Sequence, residues 1–321
     1  MPANEEEKQS QVIMRESVGF WQDGFRRLRK NKVAMVSLFV IIVVMIFSFI
    51  VPAFYPYDYK TQIKGSENLH PMQYSEKEIE RMDAGEKVFP HVLGTDKMGR
   101  DYAIRVMMGS RVSLTVGLVA SAIILLIGSL YGSIAGFFGG WVDIVLQRIT
   151  EIVACLPFLP MAMILTSIIG NSMTESARIA LIMVILGILS WPSLARLVRA
   201  QVLAERNKEF VVAAKALGVK EKNIIFRHIV PNVMTIIIVQ ATISFATCML
   251  TESGLSFLGF GVAEPIPSWG NMLNNCRSSE VISQYWWRWV FPAIMLGICV
   301  ICINMVGDGL RDAIDPKSNE R

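Results

Sequence analysis

Val33-Ala-Met-Val-Ser-Leu-Phe-Val-Ile-Ile-Val-Val-Met-Ile-Phe-Ser-Phe-Ile-Val-Pro-Ala53 runs for 21 residues without a charged side chain. A hydrocarbon core of roughly 30 Å asks for on the order of 20 apolar residues in one helix, so this stretch is long enough to cross a bilayer. A cleavable secretory signal would have an apolar run of about 7–15 residues closed by small residues. Tyr55, Pro56 and Tyr57 follow instead, and the segment reads as a retained anchor. Five further stretches meet the same test: residues 112–136, 152–170, 178–195, 233–253 and 289–306. With 53% apolar and 18% charged side chains in 321 residues, the chain has more apolar surface than a soluble core absorbs. The expectation is an all-α polytopic membrane protein with six transmembrane helices.

The net charge of +4 does not point to nucleic acid, because the cations sit between the apolar runs. Residues 1–32 hold seven Lys/Arg and 196–227 hold eight, whereas 171–177 hold none and 254–287 one. The positive-inside rule then puts the N-terminus, the 196–231 loop and the C-terminus in the cytoplasm. Segment 54–111 has nine basic and nine acidic residues and orients weakly. The expected division is a cytoplasmic amphipathic segment 1–32, a first span 33–53, an extracytoplasmic insertion 54–111, a five-helix core 112–306 and a cytoplasmic tail 307–321. Val18, Trp21, Phe25 and Leu28 recur at helical spacing among Arg26, Arg27, Arg29 and Lys30, as in a helix lying against anionic lipid.

Ser75-x-x-Glu78 reads as a capping box ahead of a short charged helix. In the second span Gly117, Gly128, Gly132 and Gly136 allow close helix approach, and in the third Pro157 and Pro160 predict a kink. Cys155, Cys248, Cys299 and Cys302 lie inside spans and Cys276 in an outer loop, so neither a disulfide framework nor a metal site follows. His70, His91 and Cys276 share no ligand spacing.

Between the fourth and fifth spans lies Glu209-Phe-Val-Val-Ala213-Ala214-Lys-Ala-Leu-Gly218, followed by Pro231. Residues 209–217 favour a helix and Gly218 supplies a stop. The small side chains would let a partner's groove accept the helix closely, although a solvated connector reads the same way. In the fifth span Gln240, Ser244, Thr247, Thr251 and Glu252 are polar groups that must face water or protein, so this helix borders an aqueous path or bonds to its neighbours.

Ala213-Ala214-x3-Gly218 with Pro231 resembles the EAA loop of binding-protein-dependent ABC importer permeases, the segment that docks on the ATPase subunits. Val212 stands where the eponymous acid would be, with Glu209 upstream. Three more segments resemble the dipeptide/oligopeptide permeases, specifically their C-type subunit. The first is His91-Val-Leu-Gly94-Thr95-Asp96-Lys-Met-Gly99-Arg100-Asp101. The second is Leu255-Ser-Phe-Leu-Gly259-Phe-Gly261 with Pro267-Ser268-Trp269-Gly270-Asn271-Met272. The third is Gly307-Asp308-Gly309-Leu-Arg311-Asp312 with Asp315-Pro316.

The resemblance implies an ABC type I importer permease fold in a bacterial inner membrane. It implies a homologous B-type permease, two ATP-binding subunits that hold ATP and magnesium, and an extracytoplasmic binding protein as partners. Relatives import dipeptides, longer peptides, nickel chelates or other small solutes. On the residues themselves, the glycines around Asp96 also read as turn chemistry, Trp269 as an interfacial indole, and Asp308 with Arg311 as a helix-end charge pair. No Gly-x4-Gly-Lys-Ser/Thr phosphate loop occurs, and no catalytic residue or cofactor bound by this chain is expected. A membrane hydrolase would need paired carboxylates or a His-Glu-x-x-His site, and an ion-coupled transporter paired broken helices; only the third span hints at the latter.

Overall fold

The computed structural model of the chain describes the backbone of residues 20–170 and 173–314, and their side chains except at 20–23, 170 and 314. The expected roles of Val18, the Trp21 side chain and Asp315-Pro316 lie outside the described residues.

Helix α1, Phe20–Lys30, meets α2, Lys32–Phe49, at Asn31. The Asn31 side chain accepts from the Ala34 N–H at 3.2 Å and so caps the second helix. After a 3-10 turn at Val51–Ala53, a long connection contains α3, Glu76–Asp83, opened by the expected capping box. Helix α4, Tyr102–Phe138, starts where the Asp101 carboxylate accepts from the Ile104 N–H at 3.0 Å. Helices α5, Gly140–Cys155, and α6, Phe158–Gly170, meet at 76° across Leu156-Pro157. Next come α7, Glu175–Glu205, and α8, Glu209–Ala216. A turn at Glu221–Asn223 and a π-helical turn at Ile224–Ile229 run into α9, Val230–Phe257. Short helices α10, Trp269–Asn274, and α11, Ser279–Gln284, precede α12, Trp287–Ile314. Among the described residues there is no β-ladder, only an isolated bridge between Thr95 and Asp101.

Five helices are long and apolar enough to span, and α5 with α6 pass the same test as one bent pair. The direction of packing decides how that pair counts. Gly128 lies against Leu194, Gly132 against Ala195 and Val198, and Gly136 against Val202, so α4 and α7 run parallel. The chain between two parallel neighbours must return across the layer, and α5 with α6 makes that sixth crossing. Six alternating crossings leave α1, α8 and the end of α12 at one end of the bundle, where Leu28 packs on Ala313. The connections 54–101 and 258–286 share the opposite end.

Helix α4 is the central post. A Cβ on Gly132 would stand 2.5 Å from the Ala195 carbonyl, so the backbones of α4 and α7 approach as only glycine permits. Three turns nearer the start of α4, Gly117 accepts Phe245 and Met249 of α9. At the α8 end, Arg199 of α7 grips Asp143 of α5 through two hydrogen bonds of 2.5 Å, and Arg206 donates to the Gly136 and Phe137 carbonyls that end α4.

The helices run past the apolar stretches that announce them. Helix α4 starts ten residues before 112, because Arg105 is buried in an ion pair rather than excluded to a loop. Segment 140–151, polar at Asp143, Arg148 and Glu151, is helical ahead of the expected 152–170 span, which is broken at Pro157. Helix α7 continues to Glu205 into the expected 196–231 loop, and α12 carries Asp308 and Arg311 within its last turns instead of in a tail from 307.

Candidate functional site

Gln240, Ser244, Thr247 and Thr251 recur at i, i+4, i+7 and i+11, one stripe of α9. All four line an open cavity of about 420 Å³. Across it stand Ser190, Ser193 and Arg196 of α7, while the α5–α6 elbow contributes Leu156 and Phe158. Proline at 157 has no N–H to continue α5, which is why the chain turns into the cavity there. The Thr247 and Thr251 hydroxyls donate to the Ile243 and Thr247 carbonyls at 2.8 and 2.7 Å. Their donors are therefore satisfied within the helix, and their lone pairs remain for whatever enters.

Glu252, expected beside these residues, lies elsewhere. One residue past Thr251 is about 100° further round the helix, and that turns the carboxylate into the bundle. It is fully buried and accepts from Ser113 of α4 at 2.9 Å and from Ser256 at 2.7 Å. Glu252 ties two helices together and does not line the cavity.

The α8 helix ends as its sequence suggests. The Val219 N–H donates to the Ala214 carbonyl at 3.1 Å and the Gly218 N–H to the Lys215 carbonyl at 3.0 Å, with Gly218 at φ +71°. This paired closure needs a left-handed residue at 218. The helix has two faces. Val211 and Ala214 are buried in one core cluster with Val198, Val202, Ile224, Ile225 and Ile229, so α8 shares a core with α7 and rests on the π-helical turn that leads into α9. Glu209, Val212, Ala213, Leu217 and Gly218 face outward, Leu217 with 83% of its surface open. The expectation that Ala214 presents a small surface to a partner is not met, because at 7% exposure it serves the chain's own packing. Pro231 sits in the first turn of α9. Just before it the Val230 N–H reaches back five residues to the Ile225 carbonyl, and the Asn232 side chain donates to the His228 carbonyl at 2.6 Å.

The motif residues of the opposite end form a closed charge network. Asp96 accepts from the Arg100 guanidinium at 2.6 Å, and Glu264 accepts from Arg100 at 2.7 Å and from Arg105 at 3.0 Å. The pairs weld segment 91–101 to the connection after α9. Gly94 and Gly99 have φ +76° and +70°, and a Cβ there would lie 2.4 Å from the Leu69 carbonyl and 2.2 Å from that of Ile63. Buried His91 is held between Asp101 at 2.8 Å and Glu78 at 3.0 Å, under the stacked ring of Tyr57. Burial pushes the imidazole pKa down, but the bonds and charges of Asp101 and Glu78 outweigh it, and the net direction is up.

Trp269, expected at a membrane interface, is fully buried beside Gly270, whose absent Cβ leaves room for the Ser253 carbonyl. Asp308 and Arg311 are exposed and do not pair with each other. His70 packs on Trp287 with the rings tilted and buried Cys276 lies against the Met272 and Arg288 carbonyls, so neither joins His91 in a site. Among the described residues no group of three His, Cys, Asp or Glu is placed to hold a metal ion.

Sequence comparison bears on what such a bundle is for. Residues 128–320 match the family described as binding-protein-dependent transport system inner membrane component, and residues 19–71 match the N-terminal transmembrane domain of oligopeptide transport permease C. The chain belongs to this permease family. Among its relatives, the dipeptide transport system permease protein DppC of Bacillus subtilis is 37% identical over 98% of this chain and 91% of the relative. The oligopeptide transport system permease protein OppC of the same organism is 36% identical over 98% and 96%. A third relative, OppC of Haemophilus influenzae, is 37% identical over 94% and 90%. The permease also shares its fold with a chain of the inward-facing MetNI methionine ABC transporter, with a TM-score of 0.52 and 17% identity over 66% of this chain and 96% of that one. It is a multi-pass membrane protein and a transport subunit.

Proposed function

We propose that the chain is the C-type half of a membrane path for dipeptides or oligopeptides in an ATP-driven importer. The observation that carries this reading is the open cavity between the α5–α6 elbow, α7 and α9, where an otherwise apolar lining carries the polar stripe of α9 and Ser190, Ser193 and Arg196 of α7. A homologous B-type permease closes the other side. Two ATPase subunits, which hold ATP and magnesium, dock on the outward face of α8 around Glu209, Ala213, Leu217 and Gly218. An extracytoplasmic binding protein delivers substrate to the opposite end. The cation-rich end that holds α1, α8 and the end of α12 is cytoplasmic in this reading, by the positive-inside rule. The names of the relatives support the substrate class.

Coupling follows from rigidity. Because Val211 and Ala214 share a core with α7 and the start of α9, a push on α8 moves both walls of the cavity together. The reading is tested with the assembled complex in liposomes, supplied with loaded binding protein and internal ATP. Labelled di- and tripeptides accumulate, accumulation stops when the ATPase phosphate loops are disabled, and an uncoupler leaves it intact. Accumulation of nickel but not peptide, or uptake that collapses with the uncoupler, overturns it.

A further inference from the structure

Three arginines follow one another near the end of α7, and the fold uses two of them. Arg199 is fixed by Asp143 and Arg206 by the last carbonyls of α4. Arg196, three residues before Arg199, makes no ion pair or hydrogen bond with any described residue. It lines the cavity, which has no Asp, Glu, Lys or His in its wall. Ser190, Ser193 and Arg196 stand at three-residue steps along α7, opposite the Gln240 to Thr251 stripe. With α7 descending toward α8 and α9 ascending from it, Arg196 and Gln240 mark the α8 end of that wall. Arg196 stands just past the apolar stretch 178–195, exposed, and the cavity is what it faces.

We infer that Arg196 is the anion subsite of this path, receiving the terminal carboxylate of a peptide as it moves toward the α8 end. The inference rests on the proposed peptide reading. Peptides differ in every side chain but share a free carboxylate, so one guanidinium among hydroxyls gives a purchase common to all of them without reading sequence. A guanidinium presents parallel N–H donors that match a carboxylate, and in a partly desolvated cavity that contact is stronger than in water. No acid on this wall competes for the cation or holds the peptide's ammonium. The hydroxyl stripe can accept from peptide N–H groups along the way.

The test uses the full importer in liposomes and a pair of labelled peptides that differ only in a C-terminal carboxylate or carboxamide. The pair is chosen so that calorimetry shows equal loading of the binding protein. In the unaltered complex the free acid is imported with the lower KM. Arg196→Gln raises the KM for the free acid by about tenfold or more and leaves that for the amide within about twofold. Arg196→Lys keeps the preference for the acid. Equal losses for acid and amide, or no change in either, with a normally assembled complex, overturn the inference and mark Arg196 as a packing or lipid-facing residue. If the unaltered complex imports neither peptide, the peptide reading fails first, and this subsite falls with it.

Discussion

The two ends of the bundle treat polar groups in opposite ways. Where 54–101 meets 258–286, Glu78, His91, Asp96, Arg100, Asp101, Arg105 and Glu264 satisfy one another within a shell that leaves most of them buried. Along the cavity and on the outer face of α8, Arg196, Gln240, Ser244 and Glu209 have no such partners among the described residues. A polar side chain that closes on its neighbours specifies how segments are held, whereas one left open specifies what else must come. The motifs at 91–101 and 267–272 belong to the first kind although they look as functional in print as the segment at 209–218.

This contrast is broken most severely at Asp96. Asp96→Ala strips a buried guanidinium of its closest partner, and removing one member of such a pair costs roughly 3 kcal/mol or more. We expect the connection 54–101 to detach and the complex to be recovered in much lower yield, seen by limited proteolysis in membranes. Normal yield and protection would place the ion pairs among dispensable contacts.

The two alanines of α8 sharpen the contrast within one helix. Ala214→Trp overpacks a buried site, at a cost of about 1–3 kcal/mol, and lowers the amount of folded permease. Ala213→Trp points outward, so folding and pairing with the other permease persist while ATP hydrolysis no longer responds to loaded binding protein. Thermal unfolding in detergent and stimulated hydrolysis separate the two, and identical behaviour would erase the distinction between the faces. Gly218→Val adds a case in which a Cβ meets nothing within 4 Å among the described residues. Its intrinsic cost is then only the left-handed backbone, about 1 kcal/mol, and any larger loss of coupling reports the partner.

A smaller effect is expected from pH. The raised pKa of His91 means that its charged form stabilises the fold fully below about pH 6.5, and that this contribution is lost as pH rises through the higher folded value. Protection factors for amide exchange across 54–101, taken relative to the intrinsic base-catalysed rate, should therefore fall on alkalinisation, and His91→Gln should remove that fall. Protection that stays level from pH 6 to about 9 in the unaltered protein would show that the carboxylates do not hold a charged ring. The smallest change is expected at Thr247→Val, which removes a hydroxyl already bonded to its own helix. Uptake should slow by less than about threefold, as for a loss under 1 kcal/mol.

Much of the fold was legible because lipid imposes length and composition on each span. The apolar runs located all six crossings, Ser75-x-x-Glu78 announced the short helix α3, and Gly218 announced the end of α8. What hid was decided by partners distant in sequence. Arg105 is tolerated in a helix because Glu264 arrives about 160 residues later. The polar half of the third crossing is held by Arg199. Arg196 counted as one more cation in a basic loop until α7 proved to run through it, although the Ser190-x-x-Ser193-x-x-Arg196 spacing was there to be read. Glu252 and Thr251 are adjacent in sequence, and only the direction of the helix face sends one into the bundle and the other into the cavity.

The parallel pairing of α4 and α7 also governs the order of events during synthesis. The groove over Gly128, Gly132 and Gly136 is filled by residues made about 65 positions later, a delay of roughly 3–13 s at ribosomal rates of 5–20 residues per second. Throughout that interval α4 stands in the membrane with its narrowest face turned to lipid, and the α5–α6 elbow has to thread before the face is covered. A chain truncated before Leu194 is therefore a substrate for membrane quality control, whatever the soundness of each helix taken singly.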